Sequence, residues 1–123
     1  MAKILLVDDD SVLLKLYSTR LEVDKHQVHT TTNGQEGLKE VANFLPDIIV
    51  LDLLMPKLNG FEFLEIINKH PVYKRIKKVV FSSVANEEQI NRLRAMGVVK
   101  FLNKLETTPT QLVLTINEML TKP

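Results

Sequence analysis

The sequence predicts an open, doubly wound α/β fold: five parallel strands in the order 2-1-3-4-5, with five helices covering both faces. Three observations lead there. Strand-length apolar runs alternate with amphipathic stretches, and the alternation repeats five times. The runs "ILLV", "IIVL" and "VVF" are apolar at every position, as strands buried on both faces are. Strand–helix–strand crossovers are right-handed almost without exception, which leaves few ways to order the strands.

Each element has its own signal. Ile4 to Val7 is the first strand. Ser11 is expected to cap the first helix, in which Val12, Leu13, Leu16, Tyr17 and Leu21 recur at helical spacing. Gln27 to Thr32 is β-branched and partly alternating, a second strand ended by Asn33-Gly34. Gly37, Leu38, Val41, Ala42 and Leu45 trace a second helix, which Pro46 stops. Asp47 to Leu51 is the third strand. After a loop with Pro56 and Asn59-Gly60, Phe61, Leu64 and Ile67 give a third helix closed by Pro71. Val79 to Phe81 is the fourth strand, and Glu87 to Met96 a fourth helix with Ile90 and Leu93 inward and Gly97 as its stop. Val98 to Leu102 is the fifth strand. "TPTQ" at Thr108 to Gln111 is a capping box with proline at the first helical position, opening a fifth helix with Leu112, Ile116, Met119 and Leu120. Nothing reads as a linker, so residues 1–123 are expected to form a single domain.

Bulk composition excludes several functions. The 123 residues are 45% hydrophobic and 25% charged, with a net charge of +1. That charge argues neither for nor against nucleic acid, but the basic residues are scattered, whereas a DNA binder usually shows a clustered basic face. The one modest basic cluster, Lys74, Arg75, Lys77 and Lys78, reads as a solvated turn. There is no cysteine, so disulfides, thiolate metal sites and thiol catalysis are out. The first strand begins too early for a signal peptide, and no apolar stretch nears the roughly 20 residues of a membrane span. The cytoplasm is the expected compartment.

In a parallel sheet every strand ends on the same edge, and ligands bind there. Asp8 and Asp9 follow the first strand, Asp52 the third, Ser82 and Ser83 the fourth, and Lys104 comes near the end of the fifth. Carboxylates gathered within a few ångströms repel one another unless some hold protons or a cation joins them. A site offering only oxygen ligands suits Mg²⁺ or Mn²⁺. Lys104 adds a point charge for a phosphate and Ser82 a hydrogen-bond donor. Asp52, alone at the central strand's end, is the candidate nucleophile towards phosphorus. Each signal is weak alone: a solvated acidic turn or a solvent-facing lysine is the commoner meaning. Their coincidence on one edge is the argument.

"ILLVDDD", "DIIVLDLLMPKLNGFEFL", "VVFSS" and "GVVKFLNK", over about residues 2 to 121, resemble the receiver domain of two-component response regulators. The resemblance implies a flavodoxin-like fold and a signalling role. Asp52 would accept a phosphoryl group from a sensor histidine kinase or phosphotransfer protein. Asp9, Asp52 and the backbone carbonyl of Leu54 would ligate Mg²⁺, with Asp8 acting mainly through water. Ser82 would bond a phosphoryl oxygen and Lys104 would pair with the group. Phe101 would be the aromatic switch, remodelling the surface of helix 4, strand 5 and helix 5 towards a downstream protein target. The domain would be no enzyme beyond its own phosphotransfer, and would contact neither nucleic acid nor membrane. Asp10 has no role in that scheme and is expected at the turn into helix 1.

The sequence departs from the resemblance in places. Leu105 stands where the family usually has proline after its lysine, and its peptide bond is expected to be trans. Ser83 replaces a common alanine and is expected to face outward. Leu54 and Val84, two positions beyond Asp52 and Ser82, are apolar and cannot orient a hydrolytic water, so slow self-dephosphorylation is expected. "VVKF" lacks the acidic residues used in one common mode of dimerisation. Three alternatives stay in view. A phosphorylation-independent interaction module is favoured by Leu105 alone. A Mg²⁺ phosphatase would need a second acid at position 54. A flavin-binding module would need a phosphate cradle in place of Asp8 and Asp9. Met1 mildly favours a stand-alone regulator over a piece of something longer. His26, His29 and His70 are expected at the surface.

Overall fold

The protein is described from a computed structural model covering residues 2–83 and 85–121. Its elements run β1 (Lys3–Val7), α1 (Ser11–Val23), β2 (Gln27–Thr31), α2 (Gly34–Phe44), β3 (Ile48–Leu51), α3 (Gly60–Asn68), a 3₁₀ turn (Tyr73–Arg75), β4 (Lys77–Ser82), α4 (Glu87–Ala95), β5 (Lys100–Asn103) and α5 (Pro109–Thr121). The sheet order is β2-β1-β3-β4-β5, all parallel. Val7 pairs with Thr31 and Leu51, Leu51 with Val80, and Ser82 with Asn103, so the carboxyl ends of all five strands form one edge.

The unbroken apolar runs are explained by burial on both faces. Successive strand residues point to opposite sides. Ile4, Leu6, Ile48, Val50, Val79 and Phe81 pack beneath α1 and α5, against Leu14, Tyr17, Leu21, Leu112 and Ile116. Leu5, Val7, Ile49, Leu51 and Val80 face α2, α3 and α4, against Val41, Phe63, Leu64, Ile67 and Leu93. Each fully buried side chain of this kind contributes about 1.5–3 kcal/mol. No helix among the described residues is long and apolar enough to cross a membrane.

Local chemistry corrects several expectations. Asp10, not Ser11, caps α1: its Oδ1 accepts from the backbone N–H of Val12 and Leu13, both at 3.1 Å. A carboxylate there also meets the helix's positive end. The inward face of α1 is Leu14, Tyr17 and Leu21, while Val12 and Leu16 are exposed. In α2, Phe44 is buried whereas Ala42 and Leu45 face solvent, and Leu45 ends the helix in the left-handed region at φ 50°. Phe63 is the fully buried aromatic of α3; Phe61 is half-buried. β5 starts two residues later than expected. The expected capping box at Thr108 and Gln111 is present, with bonds of 2.8 and 3.2 Å.

The basic cluster is only partly a solvated turn. Lys74 and Arg75 are exposed, but Lys77 and Lys78 open β4. Lys78 is 2% exposed, and its ammonium donates to the carbonyls of Lys74 at 2.8 Å and Ile76 at 2.9 Å. Burial pushes its pKa down. Lys77 reaches the carbonyl of Met119 near the end of α5. His26 is half-buried rather than superficial: Nδ1 accepts from the Ala2 N–H at 3.1 Å, and Nε2 meets Asn117 Oδ1 at 2.7 Å. His29 and His70 are exposed, stacked on Phe44 and Tyr73.

Gly60 is tightly constrained where the β3–α3 loop folds back on Asp52. A Cβ there would lie 2.7 Å from the Asp52 carbonyl oxygen and 2.8 Å from Leu53 Cα, both backbone atoms that cannot swing aside. Gly60→Ala is therefore expected to destabilise the fold by about 1–3 kcal/mol, the usual penalty of overpacking. Urea unfolding measures this; an unchanged midpoint would mean that the loop lifts away freely.

Candidate functional site

The carboxyl edge is assembled by extending the sheet one step past its ladders. The Asp8 N–H donates to the Thr31 carbonyl at 3.1 Å, the Asp52 N–H to Val7 at 3.0 Å, and the Lys104 N–H to Ser82 at 3.1 Å. These bonds bring residues from three distant stretches of sequence together. Asp8 and Asp52 are buried, at 4% and 6% exposure, and Asp9 is exposed. One carboxylate oxygen from each of the three lies within 4.8 Å of the others. Asp8 Oδ1 also accepts the Asp10 N–H at 2.9 Å, which fixes the acidic turn.

Lys104 enters from the far side. Its Nζ is 2.6 Å from Asp8 Oδ2 and 3.1 Å from Asp52 Oδ2, and 5.8 Å from the centre of the Phe81 ring. Burial pushes the Asp8 carboxyl above its ordinary value, only partly offset by Lys104 and the Asp10 N–H. Burial works against the Lys104 ammonium too, but the hydrogen bond it donates to Asp8 and the charges of Asp52 and Asp8 outweigh it and raise its pKa. Ser82 is fully buried at the end of β4, and Ser83 beside it is exposed. Phe101 is half-buried and packs against the layer beneath α4, bordering an open groove between Ile90 and Leu114.

The donor set fits a small divalent cation. It offers only oxygens, one of them on a carboxylate that burial makes reluctant to ionise, and a dication would relieve that. Leu54 follows in the β3–α3 loop with its hydrocarbon side chain exposed, so its backbone carbonyl is the one oxygen it could offer a cation. Val84 lies outside the described residues. The described peptide bonds are all trans, that of Lys104–Leu105 included, and Leu105 is 82% exposed.

Tyr17, which its spacing places only on the apolar stripe of α1, also lies beside Asp8 and Asp52. Tyr17 meets Phe81 edge-on at 5.5 Å, and burial raises its phenol pKa while the Lys104 and Asp8 charges act on it. Its place on the inward face of α1, which starts at the acids, was the available signal.

Fold and site together define a doubly wound α/β domain with a cation-ready acidic pocket at the carboxyl edge of its sheet. The profile of the response regulator receiver domain matches residues 4–117, and the chain belongs to that family. Phosphorylation-based two-component signalling is the family's function; receiver domains bind Mg²⁺ at an acidic pocket and interact with histidine kinases or phosphotransfer proteins. Among solved structures, a CheY-like receiver domain protein from Methanospirillum hungatei is 27% identical, with 98% of this chain and 94% of that one covered at a TM-score of 0.89. Chemotaxis protein CheY4 of Vibrio cholerae is 28% identical, with 96% and 98% covered at 0.87. The response regulator SaeR of Staphylococcus aureus is 29% identical over 122 residues, 99% of this chain and 52% of that protein. A protein-glutamate methylesterase/protein-glutamine glutaminase of Geobacter sulfurreducens is 28% identical over 118 residues, 94% and 31% of the two. The chain thus spans 31% and 52% of the length of these two curated relatives.

The raised Asp8 pKa has a definite sign for stability. As pH rises from the ordinary carboxylate value through the folded-state value, the unfolded chain releases the proton first, so stability falls and the loss is complete above that window. Asp8→Asn is therefore expected to be more stable than wild type at pH 7 without divalent cations. The difference should vanish below about pH 4, where both chains would be neutral at this position. Thermal unfolding across that range decides it; a lower midpoint for the variant at pH 7 would mean that the Lys104 contact outweighs burial.

Proposed function

We propose that the chain is a single receiver domain, over residues 1–123, that accepts a phosphoryl group on Asp52 from the phosphohistidine of a sensor histidine kinase or phosphotransfer protein. The observation that carries this reading is the grouping of the Asp52 carboxylate with Asp8 and Asp9, oxygens within 4.8 Å, under the Lys104 ammonium. An oxygen of Asp52 attacks phosphorus, the phosphorus–nitrogen bond to the donor histidine breaks, and the bonding pair leaves with that nitrogen. Asp9, Asp52 and the Leu54 carbonyl directly, with Asp8 through water, would hold Mg²⁺ or Mn²⁺. When bound, that ion supplies Lewis-acid neutralisation of the phosphoryl oxygens.

Lys104 neutralises a phosphoryl oxygen and Ser82 donates a hydrogen bond to another. Drawing Ser82 towards the phosphate opens room for the Phe101 ring to turn inward, which reshapes the α4–β5–α5 face for a downstream protein target. The chain acts on no separate substrate, contacts neither nucleic acid nor membrane directly, and works in the cytoplasm. Leu105, the one feature in favour of a phosphorylation-independent module, faces solvent while Lys104 keeps both carboxylate contacts. That supports the phosphoacceptor reading.

Incubation with acetyl phosphate and Mg²⁺, followed by separation of the phosphorylated form on a phosphate-affinity gel, is expected to label the wild type. Asp52→Asn should take no label. An unlabelled wild type would sink the proposal. The phosphorylated form is further expected to persist for many minutes at neutral pH, because the exposed Leu54 side chain offers no polar group to orient an attacking water. A decay complete within seconds would contradict this.

A further inference from the structure

We propose that Asn103 is the positioning residue that aims Lys104 into the acidic pocket, an inference that rests on the phosphoacceptor reading of that pocket. β5 ends at Asn103, and within the next two residues the chain must deliver Lys104 inward and Leu105 outward. The Lys104 N–H is tied to the Ser82 carbonyl at 3.1 Å. The next two N–H groups both return to Asn103: that of Leu105 to the side-chain Oδ1 at 2.8 Å, and that of Glu106 to the backbone carbonyl at 3.1 Å. This is an Asx turn superposed on a β-turn, with Lys104 at its corner.

The consequence is mechanical. A lysine side chain has many rotamers, and ordering it costs entropy unless its root is already fixed. Here the root is held from both sides, and the ammonium arrives 2.6 Å from Asp8 and 3.1 Å from Asp52. Asn103 can do this because Leu105 brings an N–H. Proline at 105 would bring none, and the Asn103 side chain would then lose the N–H that it holds. Positions 103 and 105 are therefore a matched donor–acceptor pair flanking the functional lysine. If Asn103 were only a turn former at a strand end, losing its side chain would lower stability yet leave Lys104 in place.

The test uses Asn103→Ala, Asn103→Asp, Leu105→Pro and the Asn103→Ala/Leu105→Pro double variant, with two readouts. One is the initial rate at which acetyl phosphate labels Asp52 in Mg²⁺. The other is the acylation of Lys104 by an N-hydroxysuccinimide ester, located by mass spectrometry, which needs no phosphorylation. Asn103→Ala is expected to slow labelling and speed Lys104 acylation, each about fivefold, the population shift that one intramolecular hydrogen bond commands. Asn103→Asp keeps the acceptor and should restore both. In the proline background, Asn103→Ala should change neither.

An Asn103→Ala variant with lowered thermal midpoint but unchanged Lys104 acylation would make Asn103 a fold residue and overturn the proposal. So would an equal loss in the proline background. If the wild type took no label while Lys104 acylation still followed the expected pattern, the positioning role would stand and the phosphoacceptor reading would fall.

Discussion

Carboxylates from two neighbouring strands stand within 4.8 Å of one another at the carboxyl edge, and Lys104 contacts two of them. The chain can gather these groups because β1 and β3 are adjacent in space although more than forty residues separate Asp8 from Asp52. Such an arrangement opposes folding: like charges repel, and burial disfavours the ionised form of Asp8. Two apolar layers offset it, one on each face of the sheet. Stability lost at a site and recovered elsewhere is a common pattern where charge must be held ready for chemistry.

The geometry of the site is inherited from the sheet. Asp8, Asp52 and Lys104 each use a backbone N–H to bond a neighbouring strand beyond the last ladder pair, so their backbones are as fixed as the strands themselves. Gly60 lets the β3–α3 loop fold back against Asp52, and the Asn59–Glu62 capping box closes that loop into α3. Groups set on rigid elements hold their spacing better than groups on free loops.

Most of this was legible in the sequence, and the reason differs by feature. Runs buried on both faces declare themselves without alternation, so strand order followed from parallel topology, and the pocket from asking what comes after each run. Reading which residues of α1 face inward was harder. Val12 and Leu16 fit a helical stripe as well as Leu14 does, and only packing against β1 and β4 chooses between them. The cap was hard to place for a related reason: Asp10 and Ser11 are both good caps, and in the structure Asp10, whose N–H donates to Asp8 Oδ1, is the one that starts the helix. Lysines are usually solvated, so nothing in the sequence sets Lys78 apart; the carbonyls that receive it lie in and just after a 3₁₀ turn with no sequence signal of its own. Lys104 is expected in the same pocket as the acids; that it touches both Asp8 and Asp52 is a detail of geometry that strand order does not specify.

The sheet also acts as a partition. Phe101 belongs to the compartment beneath α2, α3 and α4, whereas the Lys104 ammonium rests near Phe81, which belongs to the compartment beneath α1 and α5. Two residues three positions apart thus address opposite interiors of one molecule. Repacking in one layer therefore need not loosen the other, because the strands between them keep their own ladder of backbone hydrogen bonds.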